Sequence, residues 1–201
     1  MASADLRPQS GHTVEAGTRW SPDKKLELAL TVFKIRNKDE IYYGADPASG
    51  LSVNRNYDLP TQRTGAEMEA RWQATQSLAL RANLGHLVPR FIGANADIPD
   101  VPRTTANLQG EWKLKDSLRW SAAARFVGPR FDGNDFTYTL YPKLPSYTVV
   151  DTAWRMDIAP EVELAAGINN LFNRAYSTLA YSGTYYPVPE RNFYVRMRFK
   201  L

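Results

Sequence analysis

The feature that most constrains this chain is a period-two alternation of apolar and polar residues that recurs from one end to the other. Successive side chains point to opposite faces only in extended backbone, so the pattern calls for strands. Nine segments carry it, at 12–20, 25–43, 60–73, 77–91, 103–114, 117–131, 145–158, 162–173 and 191–201. One face presents runs such as Leu26, Leu28, Leu30 and Val32, or Ala66, Met68, Ala70 and Trp72. The other presents Glu15, Arg19, Glu27, Glu67, Glu69, Arg71, Arg81, Glu111, Arg119, Arg125, Asp151, Arg155 and Glu163. Phe33 and Ile35 break the phase of the second segment, which predicts a β-bulge there.

The connections alternate strictly in length. Short ones fall at Ser21–Lys24, Ala74–Gln76, Lys115–Asp116 and Ala159–Glu161, and long ones near 44–59, 92–102, 132–144 and 174–190. Such alternation puts the tight turns at one end of an up-and-down meander and the long loops at the other, the organisation of an outer-membrane barrel. All five tryptophans (Trp20, Trp72, Trp112, Trp120, Trp154) lie on the apolar face within a few residues of a short turn. Indole has an apolar body and one N–H donor, so it favours the headgroup boundary and forms girdles on barrels. The expected fold is therefore all-β: an antiparallel, up-and-down transmembrane β-barrel segment of about nine strands. An odd number of strands with unlike ends would not close, leaving two edges unpaired in lipid, so an incomplete barrel is expected. A soluble β-sandwich is the competing fold, but it gives no reason for every tryptophan to sit at one end.

Composition narrows function. No run approaches the 18 apolar residues of a membrane helix. The 43% hydrophobic content would pass for a soluble globular protein, yet it does not exclude a barrel, whose strands hide an apolar face behind alternating polar residues. The net charge of +4 comes from scattered residues, which argues against nucleic-acid binding. There is no cysteine, and His12 and His86 stand far apart, so no metal site is expected. Glu67 and Glu69 could pair as catalytic acids, but a charged lumen wall explains them more simply. Without a nucleophile motif or a phosphate-cradling loop, neither an enzyme nor a cofactor is expected. Met1–Ala4 runs straight into Asp5 and Arg7 with no apolar leader, which reads either as a cytosolic chain or as a piece of a longer exported protein. The long loops are rich in tyrosine. Candidate ligand contacts there are Arg90, Phe91, Arg130, Tyr138, Tyr141, Tyr181, Tyr185 and Tyr186, with aromatics to stack on a ligand and arginines to pair with an anion.

The final segment, Arg191–Leu201, alternates Phe193, Val195, Met197, Phe199 and Leu201 against Tyr194, Arg196, Arg198 and Lys200. It resembles the C-terminal insertion strand of outer-membrane barrels, with Leu201 where Phe is usual. Gly167-Ile168-Asn169-Asn170-Leu171-Phe172-Asn173-Arg174-Ala175-Tyr176 resembles the penultimate-strand motif of TonB-dependent receptors, and Tyr185–Phe193 resembles the approach to their last strand. Leu6–Gln9 with Glu15–Gly17, Arg63–Glu69, Ile98–Arg103 and Tyr147–Asp151 fit the same family in order and spacing, so the resemblance spans roughly 6–201. It implies that 1–201 is the C-terminal part of a 22-stranded receptor barrel in a Gram-negative outer membrane, with plug, TonB box and earlier strands outside it. It also implies TonB-dependent uptake of a scarce nutrient, with outer-membrane lipid, the TonB complex and a small-molecule iron chelate as partners. A ferric siderophore is the implied ligand; haem, cobalamin or an oligosaccharide are alternatives, as is a passive porin-like channel.

Overall fold

The computed structural model describes residues 6–46 and 49–199. The strands are β1 (Ser10–Trp20), β2 (Leu26–Lys38), β3 (Ile41–Ala45), β4 (Ser52–Asn56), β5 (Thr61–Gln73), β6 (Leu78–Phe91), β7 (Thr104–Lys115), β8 (Leu118–Val127), β9 (Tyr147–Ala159), β10 (Val162–Asn169), β11 (Ser177–Tyr181), β12 (Thr184–Pro187) and β13 (Asn192–Phe199). Nine of them form one sheet in the order β1-β2-β5-β6-β7-β8-β9-β10-β13, antiparallel at every step. The other four are two hairpins, β3–β4 and β11–β12, built inside long connections. Leu201, expected to close the last strand, lies outside the described residues.

Three expectations need correction. The segment 25–43 is not one strand. β2 stops at Lys38, Asp39 takes a left-handed φ of 53°, and the chain restarts as β3; aspartate is among the few residues that tolerate this conformation. Nor is there a bulge at Phe33: the pairing of β2 runs unbroken on both sides. Phe33 and Ile35 simply face inward, where Phe33 lies opposite Gly65 on β5 and Glu15 on β1. Finally, strands expected over 117–131 and 162–173 end at Val127 and Asn169, the second because Asn170 and Asn173 turn the chain with φ near 53° and 52°.

The sheet has no core of its own. The buried apolar side chains among the described residues (Phe91, Ile98, Leu144, Tyr147, Val149 and Ala180) gather at the long-loop end. Along the strands the apolar face is bare, with Val14 at 68%, Trp20 at 58% and Val195 at 74% exposure. A sandwich would cover these residues with a second sheet; here only lipid can, because apolar surface left in water costs about 25 cal/mol per Å². The tryptophans mark one boundary of that apolar face. Trp112, Trp120 and Trp154 lie side by side in register, Trp72 is one pair of residues higher on its ladder and Trp20 two. The five therefore stay within four residues of one level across six strand intervals.

The inward face is charged with both signs. Glu27 receives Arg19 and Arg71, each at 3.3 Å, and Glu163 sits between Arg155 and Arg198 at 3.9 and 3.8 Å. Tyr194 lies flat across Gly167, whose missing side chain leaves the room: a Cβ there would come within 2.6 Å of the ring.

Candidate ligand mouth

The long connections converge over the inward side of the sheet. β2 and β10 are six intervals apart, roughly 29 Å along the sheet. Even so, the hairpin that follows β2 touches the one that follows β10: the Tyr43 and Tyr181 rings are 5.7 Å apart, and the Ser52 and Tyr181 hydroxyls 3.4 Å. The sheet is therefore curved, since a flat one would hold these loops apart.

An aromatic cluster roofs the first half of the mouth. Tyr42 stacks on Tyr57 at 4.3 Å, and Phe91 and Phe136 meet the Tyr57 ring edge-on at 4.9 and 5.9 Å. Burial raises the Tyr57 hydroxyl far above its usual range, so it stays neutral. Beneath the cluster, Glu40 takes a two-pronged bond from Arg63, at 2.6 and 2.9 Å, and further bonds from Thr61 and Asn37. Burial is the largest single influence and would raise the Glu40 carboxyl, but these donors together hold it below the ordinary value.

The second half is organised by two buried aspartates. Asp135 accepts the backbone N–H of Thr137, Leu140 and Tyr141 and the Thr137 hydroxyl, at 2.9–3.1 Å. Its desolvation is outweighed by these bonds, which keep its carboxyl below the usual range. Asp132 accepts from Asn134 N–H within its own loop and from Ser182 and Gly183 N–H in the β11–β12 turn, tying the two loops together. Arg130 completes the tie. Its side chain is 3% exposed, pairs with Asp100 at 2.9 Å and donates to the Ser177 and Thr178 carbonyls. Burial nonetheless leads among the influences on Asp100 and holds its carboxyl above the usual value.

At this point the molecule can be set beside known proteins. The family model described as TonB dependent receptor-like, beta-barrel matches residues 1–171. The chain belongs to that family. Receptors of this family are outer-membrane proteins of Gram-negative bacteria and not enzymes. Among curated relatives, the receptor chain is 25% identical to the metal-pseudopaline receptor CntO of Pseudomonas aeruginosa, over 92% of this chain and 27% of the relative. It is 24% identical to the catecholate siderophore receptor Fiu of Escherichia coli, over 94% of this chain and 25% of the relative. Among solved structures, Fiu of E. coli K12 in its closed form superposes with a TM-score of 0.76 at 21% identity, covering 98% of this chain and 28% of that one. The copper transporter OprC gives 0.80 at 19% identity, with 98% and 32% coverage, and these likenesses support the fold alone. The receptor chain thus spans about a quarter of the curated relatives it matches.

Within the receptor mouth, the residues expected from sequence separate into groups. Arg130 is consumed by Asp100 and two carbonyls, and Tyr138 by a tilted ring contact with Phe131 at 4.4 Å and a bond to the Asp97 carbonyl, so both hold loops together. Phe91 is buried in the roof. Arg90 shares the outward face with Leu84 and Gln62 and does not enter the mouth. Tyr141 packs against Gly183. Tyr185 and Tyr186 remain 42% and 49% exposed, beside Tyr181. Sequence reading passed over Tyr43, which is 53% exposed and joins Tyr181, and the roof residues Tyr42, Tyr57 and Phe136. Tyr42 and Tyr43 fall at the end of an expected strand, Tyr57 in a long connection, and Phe136 within the aromatic-rich loop 131–141 without being a candidate contact itself. A Tyr-Tyr pair ahead of a glycine (Tyr42-Tyr43-Gly44), mirrored by Gly183-Thr184-Tyr185-Tyr186, was the available signal.

Proposed function

We propose that this chain supplies the C-terminal wall and four outer loops of a TonB-dependent receptor that takes up a metal chelate, a ferric siderophore first among them. The observation that carries the reading is the mouth itself: rigidly tied loops converge over the inward face and leave Tyr43, Tyr185 and Tyr186 exposed around a half-buried Tyr181. Flat aromatic faces suit a planar or catechol-type chelate. The relatives CntO, a metal-pseudopaline receptor, Fiu, a catecholate siderophore receptor, and PiuA of Acinetobacter baumannii, described as a probable TonB-dependent siderophore receptor, point to the same ligand class.

In this reading residues 1–201 are one part of the barrel domain. β1 pairs with β2 and β13 with β10, and each has its other edge open among the described residues. Edges of this kind cannot face lipid unpaired, so the remaining strands of the whole protein would complete the ring. The plug would fill the lumen against the mixed-charge wall, and contact with TonB would come through the N-terminal region of the whole protein.

The test uses the full-length gene product in a host lacking its own siderophore receptors. Uptake of ⁵⁵Fe-loaded catecholate siderophore should require both this protein and TonB, and Tyr185→Ala with Tyr186→Ala should weaken binding without removing the barrel from the membrane. A native polypeptide of only 22.7 kDa in the outer membrane, or ion conductance in planar bilayers without TonB, would sink the receptor reading in favour of a passive channel.

A further inference from the structure

The outward face of the sheet is almost free of charge. Along the outward positions of the nine strands there is no carboxylate among the described residues, in contrast to the inward wall with both signs. The exceptions are four cations, Lys34, Arg36 and Lys38 on β2 and Arg90 on β6, all exposed and all at the long-loop end. They form one patch. Arg36 and Arg90 flank Gln62 in register, His12 is opposite Arg36 on β1, and Lys34 and Lys38 stand one outward position to either side of Arg36. Arg36 Nε donates to Gln62 Oε1 at 2.9 Å, and none of the four cations has a carboxylate partner among the described residues.

The height of the patch identifies its surroundings. Lys34, Arg36 and Lys38 lie eight to twelve residues along β2 from Leu26, which pairs with the girdle residue Trp72. At roughly 3.3 Å per residue and about 40° of tilt, this puts them roughly 20–30 Å above the tryptophans, at the far boundary of an apolar band about 25 Å tall. The uppermost outward positions that pair between β8 and β9, six residues above Trp120 and Trp154, hold the uncharged Phe126 and Thr148, so the basic residues occupy one sector of the sheet. Directly below them is a shallow apolar groove of about 550 Å³, floored by Ala16 and Ala66 and walled by Val14 and Val32.

We propose that this sector is a binding site for a phosphorylated acyl lipid of the outer leaflet, its phosphates held by Lys34, Arg36, Lys38 and Arg90 and an acyl chain in the groove below. Unpaired cations facing a headgroup layer attract its phosphates, and arginine bonds them with a planar fork of donors. A free phosphate would use the same donors but gain nothing from the groove. That difference, together with the placement of the patch on the membrane side, favours the lipid.

The full-length receptor, purified in detergent and stripped of lipid, should bind bisphosphorylated lipid A as resolved by native mass spectrometry. Lys34→Gln, Arg36→Gln and Arg90→Gln together should weaken that binding by roughly a hundredfold, from about fivefold per cation. Lys24→Gln with Lys25→Gln, at the short-turn end, should leave it unchanged. Should the triple variant not insert, Arg36→Gln alone gives the same reading at smaller amplitude. Equal binding of dephosphorylated lipid A, or undiminished binding by the variants, would overturn the site. Full competition by inorganic phosphate would overturn its assignment to a lipid.

Discussion

Arg130→Ala should unfasten the outer loops without disturbing the barrel. In the wild type the guanidinium is buried against Asp100, itself about a third exposed, and against two carbonyls of the β11 strand. Breaking a buried ion pair costs about 3–5 kcal/mol, because the surviving charge is left uncompensated. Water reaching Asp100 reduces that penalty. Arg130 Nη1 is buried without a hydrogen-bond partner, so truncation also relieves one desolvated donor, worth about 1–3 kcal/mol. The balance is about 1–2 kcal/mol of lost loop closure, or roughly 5- to 30-fold more frequent opening. Hydrogen exchange followed by mass spectrometry on the full-length receptor reads this directly. Amides of Gly133, bonded to Ala180, and of Ser182 and Gly183, bonded to Asp132, should exchange faster by that factor. Strand amides of β7–β9 should not change. Arg103→Ala is the matched control: its pair with Asp97 is at 2.7 Å but 47% exposed on the arginine side, so the cost should stay within about 1 kcal/mol. If both variants exchange alike in 177–187, burial is not what gives Arg130 its role.

Two further outcomes follow from the same geometry. Gly65→Ala should destabilise the barrel by about 1–3 kcal/mol, because its new methyl would meet the His86 carbonyl at 2.4 Å and the Leu87 Cβ at 2.7 Å, neither of which can swing away. Gly167→Ala should cost less, since the far end of the Tyr194 ring can move; urea titration of the refolded receptor, read by heat-modifiable mobility, ranks the two, and the reverse order would refute the account. Acidification should loosen the mouth before the barrel. Glu40 and Asp135 both have folded-state values below the ordinary carboxylate range, so their contribution is complete above their unfolded values and is lost as pH falls through the depressed folded ones. Loop exchange, corrected for its intrinsic pH dependence, should therefore rise below the ordinary carboxylate range, and Asp135→Asn should remove the part of that rise due to Asp135.

The alternation of Leu26, Leu28, Leu30 and Val32 against Glu27 and Thr31 was enough to fix strands, their faces and their order, because a period of two has one structural meaning and short turns admit one neighbour. Even the gathering of the tryptophans on the outward face near the short turns was legible, since position along a strand can be read from residue number. The mouth was not. Arg130 and Arg90 look equivalent in sequence, each a loop-end cation beside aromatics, yet one is buried between two loops and the other faces lipid. What separates them is strand parity at residue 90 and the curvature that brings 177–187 over residue 130. The same curvature sets Tyr43 beside Tyr181 across 138 residues of chain. Local pattern carries the direction of a side chain relative to its own strand. Which distant loop it meets depends on how far the whole sheet bends, and that is a property of nine strands acting together.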